Sequence, residues 1–178
     1  MKVIKTKFEG LFVISYPSHN DNRGVFKEVF RESVFKKNIG KEINFCQENI
    51  VYSSNLVLRG LHFQKNKHAQ SKLIFVSSGE ILDVAVDIRK ESKTYGQYFS
   101  EILSSKCNKS IFIPKGFAHG YLTLSETATV HYRVDEYYNK ESESGILFND
   151  KKPNIDWKVD IKKIKLSKKD RNFKKFNW

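Results

Sequence analysis

The chain has 178 residues, 39% of them hydrophobic and 13% aromatic, with 14 Phe and 8 Tyr, which suits one domain with a sizeable core and excludes a disordered chain. Its formal charge of +12 favours an anionic partner, whether nucleic acid, a membrane surface or a phosphorylated small molecule, although a solvated lysine-rich surface explains the same charge without any partner. No helix-turn-helix, zinc-finger or RNA-binding aromatic motif converts the charge into a nucleic-acid function.

The first ten residues, Met1 to Gly10, contain no apolar stretch of signal-peptide length, and no later run approaches the ~20 apolar residues of a membrane helix. Glu32 to Lys37 is a candidate for a turn or two of helix; convincing helix is otherwise scarce. Gln47, Glu48 and Asn49 open a strand just before Ile50 and Val51. Val57 to Gln64 reads as an apolar strand interrupted by Arg59, His62 and Gln64. Lys72 to Val76 leads to a turn at Ser77-Ser78-Gly79-Glu80. In Ile81 to Arg89, Leu82, Val84, Val86 and Ile88 share one face while Asp83, Ala85, Asp87 and Arg89 share the other. Ser110 to Ile113 is closed by Pro114-Lys115-Gly116, and Tyr121 to Leu124 and Ala128 to Val134 follow with a short turn between them.

Short strands at regular spacing, punctuated by Gly and Pro, predict an all-β antiparallel sandwich or barrel. Without repeats or a Pro/Ser-rich linker, residues 1–178 read as one domain with a basic C-terminal extension from about Lys158, where much of the lysine excess sits. Cys46 and Cys107 form neither a CxxC nor a zinc spacing, so a reduced, cytoplasmic protein is expected.

The segment from Val57 to Gln64 is the most informative. A guanidinium, an imidazole and a carboxamide in one apolar strand each cost roughly 1–3 kcal/mol if buried without a partner. Such a strand either lines a site or is an edge strand with Arg59 and Gln64 solvated and His62 satisfied in the core. Pro114-Lys115-Gly116-Phe117-Ala118-His119-Gly120 places a second histidine in a glycine-framed turn. Tyr132 shares its strand face with Val130 and Val134, and a tyrosine aimed into a core usually finds a partner for its hydroxyl; an ordinary core tyrosine fits the same pattern.

The turn from Pro114 to Gly120 resembles the second signature of the cupin superfamily, PxGxxHG. The first cupin signature would bring an HxH pair and a downstream Glu for a metal, whereas this chain has His62-Phe63-Gln64. A metal site needs three or four convergent ligands, so a metal-free cupin is expected; His68, flanked by Lys65 and Lys67, sits in what reads as a solvated loop. Among metal-free cupins the chain resembles the dTDP-4-dehydrorhamnose 3,5-epimerase family over nearly its whole length. The matching pieces are Asp21-Asn22-Arg23-Gly24, Gln47-Glu48-Asn49, the segment from Val57 to Gln64, Gln70-Ser71-Lys72-Leu73 and the segment from Gly79 to Arg89. They continue with Ile113 to Gly120, Asp135-Glu136-Tyr137-Tyr138, Ile155-Asp156-Trp157 and Leu166-Ser167-Lys168-Lys169-Asp170. The family often carries proline where Lys158 stands here.

The resemblance implies a cupin-type jelly roll, or double-stranded antiparallel β-barrel, with few short helices. It implies inversion at C3 and C5 of a nucleotide-linked 4-keto-6-deoxy sugar, without metal or other cofactor. It assigns His62 as base, Asp170 as its carboxylate partner, Lys72 as the cation for the developing C4 oxyanion, and Tyr132 as the acid on the opposite face. It assigns Arg23, Glu28, Gln47, Asn49, Arg59, His119, Glu143 and Lys169 to nucleotide, phosphate or sugar, with Tyr138 stacking on the base and Phe26 lining the same cleft. An acidic residue beside a diphosphate can also simply hold an arginine, which is the alternative for Glu28 and Glu143. The family's segment around Arg23 reaches a neighbouring subunit, which implies a homodimer; neither nucleic acid nor membrane is expected as a partner. The alternatives are a relative that inverts one centre only, one that uses another nucleotide or a heptose, a non-catalytic sugar- or nucleic-acid-binding barrel, and a metal-dependent cupin oxygenase.

Overall fold

In the computed structural model, which describes residues 1–39 and 43–178, the alternating segments pair as antiparallel strands. In chain order these are β1 (Lys2–Lys5), β2 (Phe12–Ser15), β3 (Ser18–Asp21), β4 (Gly24–Lys27), β5 (Gln47–Ser54), β6 (Leu58–Gln64) and β7 (Lys72–Ser78). They continue with β8 (Glu80–Asp87), β9 (Tyr98–Ser104), β10 (Lys109–Ile113), β11 (Phe117–Thr123), β12 (Thr127–Val134) and β13 (Glu143–Gly145). Helix α1 (Glu32–Ile39) lies between β4 and β5, and a single turn, α2 (Lys168–Arg171), lies in the C-terminal segment.

Two sheets carry the fold. The first is six-stranded, in the order β1-β2-β10-β7-β12-β5, and the second five-stranded, in the order β13-β6-β11-β8-β9. Strands β3 and β4 stand apart as a two-stranded hairpin. The order is that of an all-β jelly roll: neighbours in space are distant in sequence, as with β7 between β10 and β12.

Between the sheets lies a core of Ile74, Val76, Ile81, Ala85, Leu103, Ile111, Ile113, Phe117, Tyr121 and Val130. Each strand gives alternate residues to it, as period-2 geometry demands. The remaining residues face outward, and both outer faces are covered too. On the first sheet, α1 lays Phe35 against Ile14, Leu73 and Phe112; Glu32 in its first turn and Lys36 and Lys37 in its last complement the helix dipole.

The C-terminal segment covers the second sheet. Trp157, Ile164, Phe176 and Trp178 pack on Leu58, Leu82, Val84, Val86 and Leu122. Strand β8 is therefore buried on both faces, and the Leu82, Val84 and Val86 side is the one under the tail. The Asp150 carboxylate pins the tail by accepting from Trp178 Nε1 at 3.0 Å and from the Phe176 amide at 3.2 Å. The stretch beyond Lys158 is thus folded onto the sheet, with its lysines exposed and Ile164, Leu166, Phe176 and Trp178 turned inward. No helix among the described residues is long and apolar enough to cross a membrane.

Candidate active site

Strict alternation along β6 would send Arg59 and His62, three positions apart, to opposite faces of the sheet. The pairing with β11 prevents this. His62 stands opposite His119 and Arg59 opposite Tyr121, so three steps on β6 match two on β11. One extra residue is taken up at Gly60-Leu61, a bulge that turns Arg59 and His62 to the same side while Leu58 and Leu61 both stay in the outer core. The bulge needs glycine: Gly60 has a φ of 123°, and a Cβ there would meet Gly120 Cα at 2.6 Å.

The surface so created lines a cleft of about 860 Å³ between the two sheets. Gln47 and Asn49 of β5, Lys72 of β7 and Tyr132 of β12 enter it from the first sheet. Arg59 and His62 of β6, His119 and Tyr121 of β11 and Glu143 of β13 enter from the second. The loop residue Tyr138 and the tail residues Ser167, Lys169 and Asp170 close its rim.

Within it, His62 Nε2 lies 2.6 Å from Asp170 Oδ1. Asp170 is only 3% exposed and is set by the short turn α2, whose Ser167 hydroxyl accepts from the Asp170 amide at 3.0 Å. Burial pushes the Asp170 carboxyl up, but the hydrogen bond and charge of His62, with weaker bonds from Gly60 and Ser167, outweigh it and leave it below the ordinary carboxylate range. A carboxylate can only accept, so His62 donates from Nε2, and in the neutral imidazole the lone pair lies on Nδ1. Phe173 meets the imidazole edge-on at 5.6 Å between ring centroids.

Lys72 enters from the opposite sheet, and its ammonium has no hydrogen-bond or ion-pair partner within the protein among the described residues. Burial pushes its pKa down to about 8, against the upward pull of Asp83 and Glu143. Burial also raises the Tyr132 hydroxyl, opposed by Arg59 and Lys169, so Tyr132 is a neutral phenol with a proton to give. The Arg59 guanidinium is held by Ser53 Oγ at 3.0 Å and by the Tyr52 carbonyl at 3.4 Å, and Ser53 in turn bonds the Tyr121 hydroxyl at 3.2 Å. At the rim, Glu143 accepts from Lys169 at 2.7 Å and from the Tyr138 hydroxyl at 3.0 Å. Burial raises the Glu143 carboxyl, and these two bonds bring it below its ordinary value. Gln47 Nε2 donates to Asn49 Oδ1 at 2.9 Å, and its Oε1 accepts from the Tyr138 amide at 3.3 Å, which ties the rim loop to β5.

The four residues expected to do chemistry therefore share one cleft, together with Gln47, Asn49, Arg59, His119, Tyr138, Glu143 and Lys169. Arg23, Phe26 and Glu28 do not reach it within one chain. The β3–β4 hairpin carries Arg23 and Phe26 outward, with Arg23 paired to Asp21 at 2.6 Å and Phe26 67% exposed, and Glu28 just beyond it pairs with Arg31 at 2.6 Å. The physical reason is that β3 and β4 pair as strands only with each other, outside both large sheets. Gln64, at the position of a second metal-binding histidine, spends its amide on the loop instead. It donates to the His68 and Tyr137 carbonyls at 2.7 and 3.1 Å and accepts from the Asn139 amide at 2.6 Å.

Sequence reasoning missed Tyr121 and Ser167, which line the cleft, and Ser53 and Phe173, which hold Arg59 and His62 from outside it. It placed Asp83 only as one of an alternating set. The available signal was burial: Asp83 lies on a strand with apolar residues on both sides of its face.

An arrangement of a carboxylate-backed imidazole, an unpaired ammonium and a neutral phenol from facing sheets can remove a proton, stabilise an oxyanion and return a proton. The family model for dTDP-4-dehydrorhamnose 3,5-epimerase matches residues 5–177. The dTDP-4-dehydrorhamnose 3,5-epimerase of Methanothermobacter thermautotrophicus is 45% identical over 97% of this chain and 93% of that protein. The crystal structure of dTDP-4-dehydrorhamnose 3,5-epimerase from Elizabethkingia anophelis superposes with a TM-score of 0.94 at 44% identity, covering 99% of this chain and 96% of that one. The dTDP-6-deoxy-D-glucose-3,5-epimerase of Legionella pneumophila, solved in complex with dTDP-4-keto-L-rhamnose, gives a TM-score of 0.90 at 40% identity, covering 95% of this chain and 89% of that one. The fold, the cleft and these relatives together make the chain a member of the dTDP-4-dehydrorhamnose 3,5-epimerase family.

Proposed function

We propose that the protein inverts C3 and C5 of dTDP-4-dehydro-6-deoxy-D-glucose to give dTDP-4-dehydro-L-rhamnose. The observation that carries this is the His62–Asp170 pair at 2.6 Å on one sheet, facing a cleft shared with Lys72 and Tyr132 of the other. The C4 ketone acidifies the hydrogens on both neighbouring carbons. His62 Nδ1 takes the proton from C3 or C5, and the Asp170 carboxylate stabilises the imidazolium that forms. Lys72 donates to the C4 oxygen as the enolate develops. Tyr132 returns a proton from the other face, inverting the centre; solvent then takes the proton from His62 and restores one to the Tyr132 oxygen, and a second round at the other carbon completes the reaction. Proton transfer is the whole of the chemistry, and these side chains supply it.

Arg59 and Lys169 suit the diphosphate, which a guanidinium grips with two hydrogen bonds. Tyr138, half out of the rim, suits the flat face of the base, with Gln47, Asn49, His119 and Glu143 around the nucleotide and sugar. Arg23, Phe26 and Glu28 join the site in a homodimer, where the hairpin of one protomer reaches the cleft of its partner. The exposed Val25 and Phe26 on its second strand support this, at 62% and 67% exposure.

The test is solvent exchange in D2O with dTDP-4-dehydro-6-deoxy-D-glucose, read by NMR. Deuterium is expected at both C3 and C5 of the inverted product. Exchange at one carbon only makes the protein a mono-epimerase. Exchange only with a GDP-linked substrate transfers the reading to another nucleotide, and no exchange with any 4-keto sugar nucleotide removes the epimerase function. Sedimentation at micromolar concentration reads the dimer, with R23A expected to raise KM while leaving the mass unchanged.

A further inference from the structure

Asp83 sits on the inner face of β8 between Ile81 and Ala85, 1% exposed. Its Oδ2 accepts from His119 Nε2 at 2.8 Å. Its Oδ1 is buried with no hydrogen-bond donor among the described residues. The Tyr121 hydroxyl, one strand away in register, is engaged by Ser53 instead. A buried carboxylate with half of its accepting capacity unmet is disfavoured, and where one persists it calls for a reason beyond packing.

The reason lies across the sandwich. The Lys72 ammonium opens into the cleft without an acceptor among the described residues, in a site otherwise rich in positive charge. The cations Arg59 and Lys169, and the imidazoles His62 and His119 whenever they are protonated, all oppose a charge on Lys72. Tyr132 is neutral. Of the carboxylates around the cleft, Glu143 is committed to Lys169 at 2.7 Å and Asp170 to His62 at 2.6 Å. Asp83 alone keeps an oxygen uncommitted.

We propose that Asp83 is a positioning residue for the oxyanion-stabilising side of the site: one oxygen fixes His119, and the uncommitted charge keeps Lys72 protonated next to the reacting ketone. This rests on the epimerase reading for the role of Lys72, though not for the coupling itself. A structural His–Asp pair would need only the hydrogen bond. The charge matters only if it acts on a neighbour, and the upward pull of Asp83 on Lys72 is in the direction required.

The test separates bond from charge. D83N keeps the shape and can still accept from His119 Nε2, but it removes the charge. The Lys72 13Cε resonance, assigned by its loss in K72R, is titrated in the substrate-free protein, whose two-dimensional spectrum also reports its fold. The Lys72 midpoint is expected to fall by about one pH unit. In kcat/KM the basic limb is expected to move down by the same amount while the acid limb stays. D83S removes the same charge through a smaller side chain and is expected to give the same midpoint. An unchanged midpoint overturns the proposal, as does a midpoint that moves while the basic limb does not. If the variants do not turn over, the titration alone decides. Failure of the wild-type protein to exchange deuterium would remove the epimerase reading and leave the Asp83–Lys72 coupling to stand or fall on its own titration.

Discussion

Replacing Asp170 with asparagine is the sharpest probe of the base. The imidazolium that forms during proton abstraction faces a carboxylate whose oxygen is 2.6 Å from Nε2. With the charge centres about 4 Å apart and an effective dielectric of about 20, the attraction is ~4 kcal/mol. At ~1.36 kcal/mol per decade, losing it lowers kcat about 10³-fold. The amide can also present its NH2 group to Nε2, which moves the ring proton to Nδ1 and deepens the loss. The residues proposed to hold the nucleotide lie elsewhere in the cleft, so KM is expected to stay within about threefold, the loss being specific to the transition state. Turnover of dTDP-4-dehydro-6-deoxy-D-glucose, followed by NMR alongside a thermal melt, measures both. A kcat within tenfold of the wild type, with the fold intact, would refute the role given to this pair.

In Y132F, His62 can still take a proton and return a deuteron to the same face. Deuterium is therefore expected to keep washing into recovered substrate while inverted product falls about 10²–10⁴-fold; unchanged inversion would exclude Tyr132 as the acid. E143Q weakens the grip on Lys169 and the Tyr138 hydroxyl, so KM for the sugar nucleotide is expected to rise about tenfold with kcat changed less, as initial rates would show. Asp87 is fully buried and accepts from Arg89, Ser92 and Thr94, which outweigh burial and hold its carboxyl below the ordinary range. A depressed folded-state pKa gives stability that is present above the ordinary aspartate value and lost as pH falls through the folded one. D87N is accordingly expected to cost about 3 kcal/mol at neutral pH, and the gap to wild type in denaturant melts should narrow as pH drops below about 4.

Period-2 alternation was enough to read the inner strands from the sequence. Strand β12 and the pair β7 and β8, with their turn at Gly79, follow it closely. Strand β9 was not legible because Ser100 and Glu101 break its apolar pattern, and β13 because three residues carry no period. The roles of β1 and β2 were also hidden, since Val13 and Ile14 are consecutive apolar residues buried on opposite faces. At the site, the polar residues of β6 advertised a function, but the bulge that turns Arg59 and His62 to one side depends on the contact of Gly60 with Gly120 and lies outside any local pattern. Asp170 became visible only through resemblance to a family. Nothing within its own segment, a lysine-rich stretch with one buried residue, points to a histidine on β6. Arg23, Phe26 and Glu28 show the reverse limit: the family resemblance names them, but a single chain does not bring them to the cleft.

The two halves of the proposed base lie 108 residues apart in the chain. During synthesis, both sheets can pair before α2 has left the ribosome, so a nascent barrel holds His62 without the carboxylate that would make it effective. The ability to pull protons from carbon is thus withheld until the C-terminal segment has closed over the second sheet. A break anywhere between Ile146 and Asp170 would part the carboxylate from the chain that carries His62, along with whatever part of the layer covering the second sheet is joined to it. The last stretch of chain to fold acts as a completion check on the chemistry.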